Sequence, residues 1–237
     1  PIDLDVIPAS TDTAAITLGL KQKEFELVPC YTKNGKLLNT EYGKGSGKAF
    51  VRDKYQPVGI TLHWCACWRT ADAHATLRSR GNGTTYNLSY HIEVGEDGKP
   101  YQFADLNRSA AHGGCPSDKG PRCKDMNQVV PTIAVSYVGG VEEDGKHGYY
   151  RTWEEWQSED LTKDGGKHNF KSKAQWEGIV NSILYAKAYW PSIKFITSHH
   201  WSDGGKIDVG NKFPWDKLLN ALKAGGWNKA SAGADPY

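Results

Sequence analysis

Val58-Gly59-Ile60-Thr61-Leu62-His63 is a short apolar run that ends on a histidine. Its length and aliphatic content predict a buried strand that delivers one functional side chain. A second such strand, residues 193–198, delivers His199 at its end. Asp208 follows soon after, and Lys206 lies two residues before it. Two neutral imidazoles and one carboxylate can hold a catalytic zinc while leaving a fourth position for water. A cationic side chain close by can stabilise the oxyanion that forms when water attacks a carbonyl. These residues read as a zinc amidohydrolase.

Working outward, residues 71–80 suit a short helix stopped by Gly81-Asn82-Gly83. Strand-like residues 88–94 and 100–105 flank Glu96-Asp97-Gly98-Lys99, a hairpin signal because Asp-Gly tolerates tight-turn angles. Residues 132–138 are a further strand, ended by Gly139-Gly140. Ser172 and Gln175 are spaced as a capping box, and Trp176, Ile179, Val180, Ile183 and Leu184 then form an apolar helical face that Pro191 terminates. Residues 215–224 predict a last helix with Gly225 as its C-terminal cap. The expected architecture is α/β (mixed): a central mixed β-sheet flanked by helices. Residues 1–56 read as an N-terminal extension packed on the catalytic body, with a hairpin at 31–36. Residues 57–225 read as the catalytic domain, with an inserted surface loop at 142–169, and 226–237 as a C-terminal tail.

At 237 residues the chain can bury a substantial core. Its 38% hydrophobic and 24% charged content is that of an ordinary globular protein. A net charge of +2 argues against general nucleic-acid binding, which needs a concentrated basic surface. No stretch approaches the roughly 20 apolar residues that span a bilayer. The start lacks the basic and apolar regions of a signal peptide, so either the protein is made in a cytoplasm or a leader has already been removed; Pro1 is compatible with loss of an initiator methionine, and the first is the expectation. Nothing in the sequence demands more than a monomer.

The cysteines are Cys30, Cys65, Cys67, Cys115 and Cys123, so at least one is unpaired within the chain. Cys115 and Cys123 bracket a polar loop and are equally compatible with a disulfide and with two thiols. Cys65 and Cys67 lie next to His63, either as metal ligands or, more in keeping with their setting, as small buried residues at a strand end.

Several segments together carry a family resemblance. Ile60-Thr61-Leu62-His63-Trp64, Tyr90-His91-Ile92 followed by Glu96-Asp97-Gly98, and Ala111-His112-Gly113 resemble N-acetylmuramoyl-L-alanine amidases of the amidase-2 and peptidoglycan-recognition superfamily. The run at 132–140, Ser198-His199-His200 and Lys206-Ile207-Asp208-Val209-Gly210 continue the match in order. The combination is most similar to amidase-type phage lysozymes and covers roughly residues 57–220.

The resemblance implies zinc held by His63, His199 and Asp208, with His199 rather than His200 as the ligand of the His-His pair. It implies that the Tyr90 phenol lies in the active site and that Lys206 stabilises transition-state charge. It places His112 along the substrate groove, while Trp64, Trp68 and Trp201 are the tryptophans nearest the site and candidates for sugar stacking. Two departures stand out. Ser136 occupies the position where many bacterial relatives carry a glutamate base, and Asp208-Val209-Gly210 replaces the usual Asp-Pro-Gly. The implied activity is hydrolysis of the amide between N-acetylmuramic acid and L-alanine in bacterial peptidoglycan, by an endolysin released at lysis or a leaderless exported effector. The competing expectations are a peptidoglycan-binding module of little activity and a zinc enzyme acting on another amide of the stem peptide.

Overall fold

The computed structural model describes residues 25–30, 37, 56–67, 69–80, 88–113, 126, 130–139, 173–203, 206, 208–209 and 213–232. In chain order these form β1 (Val28–Pro29), β2 (Gly59–Trp64), α1 (Thr70–Arg80), β3 (Ile92–Val94), β4 (Pro100–Gln102) and β5 (Thr132–Tyr137). They continue with α2 (Lys173–Tyr189), β6 (Phe195–Ser198), α3 (His199–Ser202) and α4 (Trp215–Ala224). The expected hairpin at 31–36, the insertion at 142–169, Ser172, Cys115 and Cys123 lie outside the described residues.

The strands make one mixed sheet in the order β1-β4-β3-β5-β2-β6. Only β3 and β4 run antiparallel; β1 with β4, β3 with β5, and β2 with both β5 and β6 are parallel. Every residue of β2, β5 and β6 is buried, as expected for parallel strands covered on both faces.

The alternation of side chains along a strand then sorts residues by chemistry. In β2, Ile60, Leu62 and Trp64 join Ile133, Val135, Tyr137, Ile92 and Val94 in a core completed by Trp176, Ile179, Val180, Ile183 and Leu184 of α2 and by Leu218 and Leu222 of α4. Each fully buried aliphatic side chain there contributes roughly 1.5–3 kcal/mol. The intervening residues, Thr61 and His63 of β2, Ala134 and Ser136 of β5 and Glu93 of β3, occupy the opposite face. Over it lies α1, which packs Leu77 with Ala134, Phe103 and Tyr90, and Ala73 with Cys67 and Val138.

Observed and expected elements differ mainly in length. Of residues 88–94 only 92–94 form strand, because Ser89 turns aside: its N–H donates to Ala111 O, and Ala111 N–H donates to Ser89 Oγ. The Asp97-Gly98 turn is present, with Gly98 at φ 81°, and a Cβ there would meet Ala174 O of α2 at 2.3 Å. At the end of α4 the left-handed residue is Gly226 (φ 101°), not Gly225, whose φ is −77°. Gly225 is needed instead for space, since its Cβ would lie 2.4 Å from Leu184 Cδ1. Beyond it the chain turns back to the sheet: Trp227 and Ala230 are buried and Ala232 bridges Ile196. Within residues 1–56, β1 extends the sheet beside β4.

Candidate metal centre

Strand ends build the site. β2 carries His63 to its penultimate position, fully buried. β6 stops at Ser198, whose extended backbone and side chain start α3: Trp201 N–H donates to Ser198 Oγ at 3.2 Å. His199 is therefore the first residue of α3, held just past the end of β6 and beside β2. The following loop is tied back in three places. Asp203 N–H donates to His199 O (2.8 Å), Lys206 N–H to Asp203 O (2.9 Å), and His200 N–H to Asp208 O (2.6 Å). These bonds bring the Asp208 side chain to the two histidines.

His63 Nδ1 lies 2.8 Å from Asp208 Oδ2, and His199 Nδ1 lies 3.1 Å from Oδ1 and 3.2 Å from Oδ2. The two imidazole rings are 4.6 Å apart at 68°. One donor atom from each of the three residues falls within 4.8 Å of the others, a grouping able to hold a metal ion. Burial, opposed by the Asp208 hydrogen bond, brings His63 down to about 4, so its ring is neutral at neutral pH. Burial alone would raise Asp208, but hydrogen bonds from His199 and His63 outweigh it and hold the carboxyl well below the usual range.

A chain of hydrogen bonds decides which His63 nitrogen carries the proton. His112 Nε2 faces Thr132 O at 3.2 Å, and a carbonyl can only accept, so Nε2 is the protonated nitrogen. His112 is itself neutral, held well below the ordinary range by burial and then by the neighbouring histidines. Its Nδ1 therefore accepts from His63 Nε2–H at 3.1 Å. In that tautomer His63 Nδ1 is free to ligate a metal ion beside Asp208 Oδ2, 2.8 Å away; in the other tautomer the same contact is a hydrogen bond to the carboxylate. The donor set thus fits a metal ion, with His112 in the position of the outer partner that orients a ligating imidazole.

The other predicted residues are placed as follows. His200 is directed away: its Nδ1–H donates to Lys206 O, leaving His199 to face Asp208. Tyr90 is buried with its ring 5.0 Å from that of His63. Burial, then the Asp208 charge, raises its phenol well above the ordinary value, so it is a hydrogen-bond donor at neutral pH. Lys206 is exposed beside the site and adds a small part to the lowering of His63, after burial and nearer groups. His91 is occupied on both nitrogens, with Nε2 to Arg108 O (2.7 Å) and Nδ1 accepting from Ala134 N–H (2.9 Å).

Two expectations change. His112 does not line a groove; it is buried behind His63 and spends its nitrogens on Thr132 and His63. Trp64 does not face the site; only 5% exposed, it lies in the helix-side core because neighbours along a strand point to opposite faces. Trp201 stacks on Trp215, with centroids 4.5 Å apart at 23°; Trp68 lies outside the described residues. Cys65 and Cys67 stand outside the metal grouping, Cys67 Sγ–H donating to Cys65 O. Burial raises the Cys65 thiol well above its ordinary range, as for a packed residue. The motifs single out nothing at Glu93, yet it is fully buried on the His63 face. Its signal was an acid centred in Ile92-Glu93-Val94, an otherwise apolar strand.

No protein-family model matches this chain, and no curated protein matches it. Solved structures do. The chain is similar to N-acetylmuramoyl-L-alanine amidase LysC from Clostridium intestinale URNW, with TM-score 0.50 and 13% identity over 84% of this chain and 97% of that one. It is also similar to a selenomethionine derivative of AmpD (TM-score 0.44, 18% identity, 72% and 86% covered). A further match is the Ph2119 endolysin from the Thermus scotoductus MAT2119 bacteriophage Ph2119 (TM-score 0.43, 12% identity, 77% and 97% covered). The likeness to LysC shows the fold: this chain has the mixed-sheet fold of an N-acetylmuramoyl-L-alanine amidase.

Proposed function

We propose that this chain is a zinc-dependent amidase that cleaves the bond between N-acetylmuramic acid and L-alanine in bacterial peptidoglycan. The observation that carries the reading is the grouping of His63, His199 and Asp208, with His63 Nδ1 2.8 Å from Asp208 Oδ2 and His199 alongside. His63, His199 and Asp208 would hold the ion. When bound, zinc supplies a Lewis acid and a means of activating water at neutral pH. The amidase fold and the motif resemblance support the choice of substrate.

The chain's own groups supply the rest. His112 holds His63 in the tautomer that frees Nδ1. Tyr90, kept neutral, donates a hydrogen bond toward an oxygen that gains negative charge. Lys206 brings a positive charge beside the three ligands. No helix among the described residues is long and apolar enough to cross a membrane. We propose a wall-degrading role, as an endolysin or an exported effector, acting as a monomer.

The test is mass spectrometry of purified peptidoglycan fragments after incubation with zinc-loaded protein, beside His199→Ala and Lys206→Ala controls. Free stem peptides beginning with L-alanine are expected. Cleavage within the stem would replace the substrate bond in this reading. Intact fragments that co-sediment with the protein would leave a binding module instead.

A further inference from the structure

Glu93 of β3, Ser136 of β5 and His63 of β2 occupy one row across three adjacent strands: Glu93 is registered with Ser136, and Ser136 with His63. Directly opposed residues of neighbouring strands project to the same face. The Glu93 carboxyl therefore shares a face with His63, and the Ser136 hydroxyl stands between them. With strands about 4.8 Å apart, one hydroxyl is the right length of bridge.

Both groups are fully buried, and no hydrogen bond beyond those the Ser136 and Cys65 side chains can offer meets the Glu93 carboxyl. A carboxyl so weakly partnered inside a sheet is costly, and an aliphatic side chain there would be the more stable choice. Its place in the row with His63 gives that cost a use. Burial raises Glu93 to about 8, against smaller opposing effects of Ser136 and Cys65, so the group holds a proton at neutral pH. The titratable groups that feel its charge are Cys65, from the segment after β2, and Tyr90, from the segment before β3; burial keeps both neutral.

We propose that Glu93 is the proton store of this site, a positioning residue that exchanges protons with the reacting amide through the Ser136 hydroxyl. The proposal rests on the amidase reading above. As the C–N bond breaks, Ser136 O–H passes its proton to the leaving nitrogen and takes one from Glu93. The oxygen of the attacking water forms the new bond to the carbonyl carbon. The proton that water sheds returns through Ser136 to Glu93, so one water is consumed and Glu93 ends as it began.

The experiment uses the full chain with zinc and muropeptide substrate, and measures kcat, KM, thermal midpoint and the pH–rate profile. Glu93→Gln keeps size and polarity but cannot release a proton. It should lower kcat by about 100-fold or more, with KM and midpoint nearly unchanged and the wild-type limb near pH 8 lost. Glu93→Asp should recover part of the rate. Ser136→Ala should reproduce the loss, and the double variant should be no slower than either single one, because the two act as a unit. Glu93→Gln with wild-type kcat and pH profile would overturn the proposal, as would losses that multiply in the double variant. Should Glu93→Gln fail to fold, Ser136→Ala at wild-type kcat would overturn it equally. Failure of the wild-type protein to release L-alanine-terminated peptides is a different result, and it removes the amidase reading itself.

Discussion

His63 and Asp208, separated by 145 residues, face each other at 2.8 Å through Nδ1 and Oδ2. Behind this contact the Thr132 carbonyl accepts from His112 Nε2–H, and His112 Nδ1 faces His63 Nε2 at 3.1 Å, an arrangement that frees His63 Nδ1 for a metal ion. A main-chain oxygen on β5 thereby sets the chemistry at the end of β2.

Metal removal should be visible in stability. An ion held only by the folded chain adds about 3 kcal/mol at a hundred times its Kd. Thermal midpoints with EDTA and with added zinc measure this, and zinc should raise the midpoint. His199→Ala should abolish the rise, whereas His200→Ala, whose ring bonds Lys206 O, should keep it. A midpoint indifferent to zinc would count against the site.

His112→Ala should weaken zinc binding by about 10- to 100-fold without removing a ligand, since it frees His63 to change tautomer. Titration calorimetry reads the affinity directly. Unchanged affinity would mean that the imidazole chain does not orient His63.

Lys206 is exposed, so Lys206→Ala should move stability by less than about 0.5 kcal/mol. If its charge stabilises the transition state, kcat should fall by about 100-fold or more while zinc content is kept. Equal kcat in wild type and variant would remove Lys206 from the mechanism.

Acid should destabilise the metal-free protein in a defined window. Burial holds both His63 and His91 at about 4, against an ordinary value of 6.5. Between those values the unfolded chain binds more protons than the folded one, so stability falls as pH drops through the window and is level above it. Each histidine is worth on the order of 3 kcal/mol across it. Urea midpoints followed downward from neutral pH check the slope, and His91→Gln should make it shallower.

Trp64→Ala separates a core role from a substrate role. Loss of a buried tryptophan should cost about 3–5 kcal/mol, with KM of the folded fraction unaltered. A variant of wild-type stability and raised KM would return Trp64 to the site.

The elements legible in the sequence are those whose signal is local. The run from 58 to 63, the apolar face of α2 and the bounds of α4 follow from periodicity, and the ends of β2 and β6 already marked His63 and His199 as candidates. Even the placement of Trp64 was legible, because period-two alternation sends it away from His63. What only the tertiary structure decided depends on register between distant segments. His112 as the partner of His63 and Glu93 in a row with Ser136 and His63 both follow from pairings that link residues far apart along the chain. A side chain's type is written in the sequence. Its tautomer, its partner and its proton depend on which backbone oxygen folding brings beside it, and no local pattern carries that information.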